Sequence, residues 1–539
     1  MDRQLLGPTG SPLPQGIGAA VRAMANREGT DLSFNVGYKA GQTRGQDVGG
    51  WLPSQQSADA SWLWSRDLAV ARTRELMQNE PWAQGGVDRK LDMLVGAGWR
   101  PIIRPDAQAL GITEEQAQTL GSQIESNYRL WGEDPLCRCD AEDTLTASWL
   151  LYLQVMEAEV TGDGVSVLRM RERPGWGFRT CVQVLDSDRL SNPNGVADDD
   201  HIRGGVEKDR YNAPIAYHFR NAHPGDVLGS TSKSMTWERV ERNEPYGRPK
   251  VTHLFEKRRP GQSRGVSRLV AGLARFKGAS RLTDNELANS TINSLFAGTI
   301  VSSFDPAVAQ DHLMSSATAG YQDLRQKFYE TADPRLAGAR IQHLFPGDEL
   351  KFLTTPRETV AFESFTTVFL RSIASSLGIT YEQIAMDWSK VNYSSARAAL
   401  IEVWRGIQRQ RSMVAMMVAT PWLLAVTEDG IDQGKIELPN GATWEDLYER
   451  PAAYLRGRWL GPARGWVDPV KEPAGAILQV EAGFNNWEDV AAEQGIDFDL
   501  NLAGLKRQKG MWHDAGLTPP ALAAMMAMRG TSEDDKPNP

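Results

Sequence analysis

The sequence predicts an α+β fold, and three observations lead there. Short apolar runs bounded by Gly, Asn and Asp mark strands at 165–170, 178–185 and 215–220. Apolar residues recur at helical spacing on both sides of that strand-rich stretch. Two long helical stretches, 263–294 and 357–378, then flank a small mixed insertion at 295–356. A monomeric globule has little use for such a pair, whereas a ring whose helices line a channel does.

Taken in order, residues 1–60 are rich in Gly, Pro, Ser and Gln, and read as a flexible arm with a few anchoring aromatics such as Trp51. Helical signals begin at Ser61. One segment covers 67–78 and Pro81 interrupts it; Val87, Leu91, Leu94 and Val95 then repeat until Gly96 and Gly98 stop the helix. Residues 100–103 read as a strand. Thr113 and Gln116 spell a capping box, opening a helix whose apolar face is Ala117, Leu120, Ile124, Tyr128 and Trp131. A further helix covers about 144–161.

The stretch 263–294 would be roughly 45 Å long at 1.5 Å per residue. Its polar positions include Arg264, Arg268, Arg275, Lys277 and Arg281, and a charged helix face is commonly just solvated. After a strand-like 349–354, Phe362, Phe365, Phe369, Ile373 and Leu377 form one stripe that ends at Gly378. An interruption at 379–393 precedes a helix over 394–418, with Leu400, Val403, Trp404 and Ile407 inward and Arg397, Arg405 and Arg409 opposite. The C-terminal part holds a helix ending near Gly483, a capped helix after Asn486, and a polar tail from Ser532 expected to be disordered.

Composition narrows the function. A formal charge of −9 supplies no basic surplus, so tight grip on nucleic acid is not expected, although DNA can slide past such a wall. The 17 Trp suit large buried surfaces or subunit contacts. Three cysteines, Cys137, Cys139 and Cys181, cannot build a disulfide framework, and the odd count points to a reducing compartment. No apolar signal core opens the chain, and no run approaches the roughly 18 apolar residues of a membrane span. A soluble protein made in a cytoplasm is expected.

The search for chemistry finds no phosphate-binding G-x-x-x-x-G-K-[ST] and no H-E-x-x-H. Gly261-Gln-Ser263-Arg-Gly265 matches the nucleophile-elbow pattern, but Arg258-Arg-Pro260 precedes it where a strand is needed, so Ser263 reads as a helix cap. Cys137 and Cys139 lack a second pair of metal ligands. The seven His are scattered, with no two at i, i+4. Asp186, Asp188 and Asp198–Asp200 could be imagined as a two-metal nuclease cluster, but they lie on one Asn/Pro/Gly-rich loop and read as a solvated turn. No catalytic residue, metal or cofactor is expected.

Six stretches, in one order, carry a family resemblance. They are Leu185-Asp-Ser-Asp-Arg-Leu-Ser-Asn-Pro-Asn-Gly195, His253-Leu-Phe-Glu-Lys-Arg-Arg-Pro-Gly-Gln-Ser-Arg-Gly-Val-Ser267, His343-Leu-Phe-Pro-Gly-Asp-Glu-Leu350, Leu377-Gly-Ile-Thr-Tyr-Glu-Gln-Ile384, Asn392-Tyr-Ser-Ser-Ala-Arg-Ala398 and Val480-Glu-Ala-Gly483. Through them the chain resembles lambda-type portal proteins of tailed bacteriophages, from about Trp62 to about Pro520. The arm before Trp62 matches poorly apart from Leu5–Pro8.

The resemblance implies a ring of about twelve subunits at one capsid vertex. In this chain it implies an α+β wing at 61–262, stem helices at 263–294 and 357–378, and a clip at 295–356. A tunnel loop follows at 379–393, then a long helix and wing return at 394–470, crown-like helices at 471–530 and a disordered tail at 531–539. Double-stranded DNA would pass through without sequence readout. In the loop Met386, Asp387, Trp388, Ser389, Lys390 and Val391, Lys390 is expected to meet phosphates. Trp388 either packs against neighbouring loops or the DNA backbone, or sits in its own subunit's core. Arg268, Arg275, Lys277 and Arg281 on the first stem helix either face the channel or bridge subunits. Implied partners are further copies of the chain, the terminase large subunit, a head–tail connector, and the major capsid and scaffold proteins, with no membrane. The implied location is the virion, with the host cytoplasm during assembly. The rival readings are another structural head protein, such as an adaptor or capsid component, and a terminase-type packaging enzyme.

Overall fold

The computed structural model describes residues 51–226, 231–295, 299–302, 323–324, 326–328, 348–351, 359–466 and 468–516. Most of the expected arm and clip, the end of the crown and the tail lie outside the described residues. In chain order come α1 (Ala58–Asn79), α2 (Pro81–Leu94), β1 (Arg100–Ile103), α3 (Glu114–Gly132), α4 (Ala147–Thr161), β2 (Gly164–Met170) and β3 (Thr180–Leu185). Four short strands follow: β4 (Ile202–Arg203), β5 (Val206–Lys208), β6 (Pro214–Arg220) and β7 (Trp237–Glu241). Then come β8 (Val251–Leu254), α5 (Leu273–Leu295), β9 (Thr299–Ser302), β10 (Asp348–Lys351), α6 (Thr359–Leu377), α7 (Tyr393–Val414) and α8 (Thr420–Asp432). The described chain closes with β11 (Gly457–Leu460), α9 (Lys471–Glu481), α10 (Trp487–Glu493) and α11 (Phe498–Asp514). The mixture of helices and small sheets is the expected α+β class.

α1 begins nine residues before the expected 67, because its buried face includes Asp59 and Arg66 among Trp62, Val70 and Leu76, and these polar positions mask the apolar period. Pro81 opens α2, where its missing N–H is harmless. The α3 capping box is present: Thr113 Oγ1 accepts from Gln116 N at 3.2 Å, and Gln116 Oε1 accepts from Thr113 N at 3.0 Å. All five expected core residues of α3 are buried.

Among the described residues every pairing between strands is antiparallel. β3-β2-β8 forms one sheet and β4-β5-β6-β7 another, and β1 zips onto β11 from Arg100↔Leu460 to Ile103↔Gly457. Val165, Leu185, Val206, Tyr217, Phe219 and Val240 form a small core that joins the two larger sheets. The main core is helical, and it draws Val87 and Leu91 of α2, Leu120 and Trp131 of α3, and Trp422 of α8 into one cluster. Complete burial of such a side chain stabilises by about 1.5–3 kcal/mol. Within the expected clip, β9 and β10 pair from Asp348↔Ser302 to Lys351↔Thr299.

The helix expected at 394–418 runs further, correcting the expected end. α7 passes through a π-turn at Ala415–Ala419 directly into α8. Pro421 has no N–H for the usual bond one turn back, and the wider turn absorbs the defect. Residues 394–432 are therefore long and apolar enough to span a bilayer, with mean hydropathy 1.3 in the best window, against the expectation that no run would be. The helix serves as core: Val418, Trp422, Leu423 and Val426 are buried. Asp429, also buried, accepts the backbone N–H groups of Arg179 and Thr180 at 2.7 and 2.8 Å.

Candidate functional site

α6 ends at Leu377, and Gly378 takes the left-handed conformation (φ 77°) that turns the chain away. Leu370, Ile373, Ala374 and Leu377 form its buried stripe, while Phe365 is exposed, so the expected stripe is rotated toward solvent at its start. Thr380 and Gln383 then build a second capping box over the short helix Tyr381–Ala385, and buried Ile384 pins it. Ile384 and Leu377 press on α2 at Gly86, where a Cβ would sit 2.8 Å from Leu377 Cδ1.

Met386, at φ 53°, ends that short helix and sends 387–391 outward. Asp387 accepts from the backbone N and Oγ of Ser389 at 3.0 and 2.7 Å, and these bonds hold its carboxyl below the usual range. Asn392 caps α7 by accepting from Ser395 N at 2.9 Å. The segment is thus fixed at both ends and presents its middle. Trp388 is 43% exposed, which places it outside its own subunit's core. Lys390 reaches back to Glu363 of α6 at 2.7 Å, with both side chains mostly in solvent, and the pair raises the lysine's pKa. Val391 is half-buried at the base.

The first expected stem helix starts later than Ser263. Residues 263–267 form no regular element, a 3-10 turn covers Arg268–Gly272, and α5 begins at Leu273, because buried ionic contacts claim the preceding residues. Ser267 Oγ, accepting from Leu269 N at 3.1 Å, supplies the cap. α5 and α6 pack together, with Phe276, Leu370 and Ile373 in the shared core.

Arg268 is turned into its own chain, donating to Glu256 at 2.9 Å, and with the Gln410 amide oriented to receive it, to that oxygen at 3.0 Å. Burial pushes Glu256 up, but Arg268 and Arg409 outweigh it and bring its pKa down to about 2. Arg275, Lys277 and Arg281 are exposed and form no ion pair with another described residue. Lys277 and Arg281, four residues apart, share one face, whereas Arg275 lies about 160° round the helix from Lys277.

The residues just before α5 join a charge hub that reasoning from the sequence missed. Asp163, completely buried, accepts from Gly265 N (2.6 Å), His253 Nε2 (2.8 Å), Arg264 Nε (2.9 Å) and Arg66 Nε (3.4 Å). Burial alone would raise its pKa, but Arg264 and His253 hold it well below the carboxylate range. Burial lowers the His253 pKa against the pull of Asp163. Arg264 also donates to the carbonyls of Leu190, Gly204 and Ser187.

Arg264 is therefore no solvated helix residue, and the G-x-S-x-G stretch is a structural clasp. Buried Ser263 donates its hydroxyl to Asp59, which also receives Ser263 N at 2.7 Å. Gly265 passes so close to Gly162 that a Cβ would lie 1.8 Å from its carbonyl oxygen. His253 is bound to a different carboxylate, so no Ser–His–Asp arrangement forms here. The signal that could have revealed the hub was the cluster of charged and Gly residues at 253–265, a composition unsuited to the start of a solvated helix.

Asp186 and Asp188 do meet a third ligand type: with His223 their ligand atoms lie within 4.8 Å of one another. Arg74 already bonds Asp186 at 2.7 Å and lies 3.4 Å from Asp188, and Arg66 lies 3.7 Å from Asp188. These carboxylates are thus clasped by arginines, where a solvated turn was expected. Asp198 and Asp199 accept backbone N–H groups of their own loop. Cys139 and Cys181 are buried, and burial pushes both thiols up, away from metal-binding thiolates.

Comparison with known proteins gives these parts a context. Residues 44–411 match the model of the phage portal protein, lambda family. The portal protein of Escherichia phage N15 is 29% identical over 516 residues, 94% of this chain and 96% of that one. Portal protein B of Escherichia phage lambda is 28% identical over 522 residues, again 94% and 96%. A chain from the neck of a native gene transfer agent particle aligns over 81% of this chain and 99% of its own, at 14% identity and a TM-score of 0.41. A family match of this extent settles the class: a phage portal protein, a structural component of the particle. Within that class the chain belongs to the lambda family of portal proteins.

Proposed function

We propose that copies of this chain close into a ring of about twelve at one vertex of a phage capsid, forming a passive conduit for double-stranded DNA during packaging and ejection. The carrying observation is the unbroken family match over 44–411, which spans α1 through most of α7 and so includes both proposed stem helices and the loop between α6 and α7. In this reading α5 and α6 are the stem, 295–356 the clip, 379–393 the tunnel loop and 471–530 the crown.

Force comes from a separate ATP-hydrolysing terminase docked on the clip, and a head–tail connector takes its place after packaging. Capsid and scaffold proteins hold the rim. Contacts to DNA are weak and blind to sequence, because a strong contact would brake translocation. The exposed Lys390 suits such a contact, since its pair with Glu363 is solvent-borne and exchanges readily for a phosphate. Trp388 lies against the neighbouring loop or the DNA backbone, and Arg275, Lys277 and Arg281 face the channel or a neighbour, while Arg268 anchors the stem to its own subunit. The chain itself performs no catalysis.

Native mass spectrometry with electron-microscope class averages tests this. Rings of about twelve or thirteen subunits with a central channel are expected. A small closed oligomer without a channel would overturn the reading, as would ATP hydrolysis by the purified protein.

A further inference from the structure

No residue of α9, α10 or α11 is buried. The three helices are tied to the body by ion pairs, Arg397–Glu472 (3.1 Å), Arg458–Glu488 (3.2 Å) and Arg104–Asp499, and not by a core of their own. Yet they are not polar helices. Phe484, in the turn after α9, is 86% exposed, and Leu478, Leu502 and Leu505 are each more than half exposed.

The pattern on α11 is specific. Phe498, Leu502, Leu505, Lys509 and Trp512 follow 4–3–4–3 spacing, the seam by which one helix packs along another, and at Leu502 and Leu505 that seam is bare. Along α9 and its C-cap the exposed residues Ala474, Leu478 and Ala482 form one stripe, small side chains on either side of a single Leu with Glu481 at its edge, a shallow groove for a seam of Leu. Charge is divided in the same sense. Residues 472–499 carry seven Asp and Glu and no Lys or Arg; Glu472, Glu488, Asp489 and Asp499 pair within the chain, but exposed Glu481 on α9 has no ion pair to a described residue, and neither have Lys506, Arg507 and Lys509 on α11.

We propose that these helices find their core on a second copy of the chain. The Leu502–Leu505 seam of one subunit lies along the Ala474–Leu478–Ala482 stripe of the next, with Lys506 and Lys509 set against its Glu481. The two surfaces differ, so the contact is head-to-tail and leaves neither face bare once the ring closes. This rests on the ring reading. Nucleic acid is the poorer occupant: phosphates do not cover Leu side chains, and the acidic stretch repels them.

Two measurements on the full chain test it, both scored by native mass spectrometry. Lys506→Glu with Lys509→Glu should raise the concentration for half-assembly about tenfold, and adding Glu481→Lys should bring it back to within about twofold. Because the reversals sit on exposed positions, the circular dichroism of the monomer should not change. Separately, Glu481→Cys with Lys509→Cys, in a chain carrying Cys137→Ser, should give on oxidation a covalent ladder rising to ring size. Wild-type rings with no ladder and no response to charge reversal would overturn the contact while leaving the ring reading intact. So would a reversal that spares the rings but lowers retention of a short DNA duplex, or a ladderless product cross-linked within one chain. Failure of the wild-type chain to form rings would sink both readings.

Discussion

Replacing Asp163 by Asn perturbs the hub with almost no change of volume. The carboxylate receives two guanidiniums, Arg264 at 2.9 Å and Arg66 at 3.4 Å, and each arginine is nearly inaccessible. Asparagine removes the charge and turns one acceptor into a donor facing donors. Breaking a buried pair by removing one partner costs about 3–5 kcal/mol, chiefly because the other charge stays buried without its counterion. Arg66 keeps Asp188 at 3.7 Å, but Arg264 keeps only carbonyls, so the upper half of that range applies.

Against a typical net stability of about 5–15 kcal/mol, the loss is a large fraction. The assay is a urea titration followed by Trp fluorescence, read as the midpoint of the first transition, since a chain of 539 residues need not unfold in one step. Glu363→Gln, on the exposed Lys390 pair, is the control and should leave the midpoint in place. Asp163→Leu combined with Arg264→Met should lose less than Asp163→Asn, because both charges leave together. A variant Asp163→Asn that unfolds with the control, or a double variant that loses more than the single, would refute the uncompensated-charge argument.

Acid should weaken the fold in two windows. His253 has a pKa below its ordinary 6.5, so the unfolded chain takes up the proton first and stability falls as pH drops below about 6.5. Glu256, depressed to about 2 from 4.5, contributes stability that is complete above about 4.5 and is lost on the way down to about 2. Urea midpoints from pH 7 to 4 should show the upper window, and His253→Gln should flatten it between pH 6.5 and 5. Gly265→Ala should yield no soluble folded chain, since its Cβ meets the Gly162 oxygen, while Gly278→Ala, in open space on α5, should gain about 0.5–1 kcal/mol, checked by soluble yield and thermal melting. Lys390→Ala should leave ring assembly and melting unchanged and alter the DNA packaging rate in a reconstituted packaging assay; an unchanged rate would remove Lys390 from the channel.

Local codes were legible in the sequence. The Thr113–Gln116 box, the strand at 100–103 and the α3 face all rest on residues a few positions apart, and all appear as read. What escaped depends on partners far along the chain. Arg264 lies 101 residues from Asp163, and Ser263 lies 204 from Asp59, so their spacing carries no period, and a buried Arg in a loop reads like one on a solvated helix. The short strands β4, β5 and β7 escaped for the same reason, since pairing and not local alternation defines them. The loop at 386–391 was legible as an interruption between helices. That Trp388 stays outside the core depends on the turn at Met386, which the sequence does not announce.

The pairing of β1 with β11 has a consequence on the ribosome. Residue 100 waits for residue 460, so at about 5–20 residues per second the edge of β1 stays open for roughly 20–70 s of synthesis. Arg179 and Thr180 likewise wait about 250 residues, roughly 13–50 s, for Asp429, which makes the nascent chain a client for chaperones and its unpaired edge an aggregation hazard. The delay also acts as a checkpoint. A chain released early lacks the strand and the carboxylate that close the body, and so is not expected to enter a ring and plug it with a defective subunit.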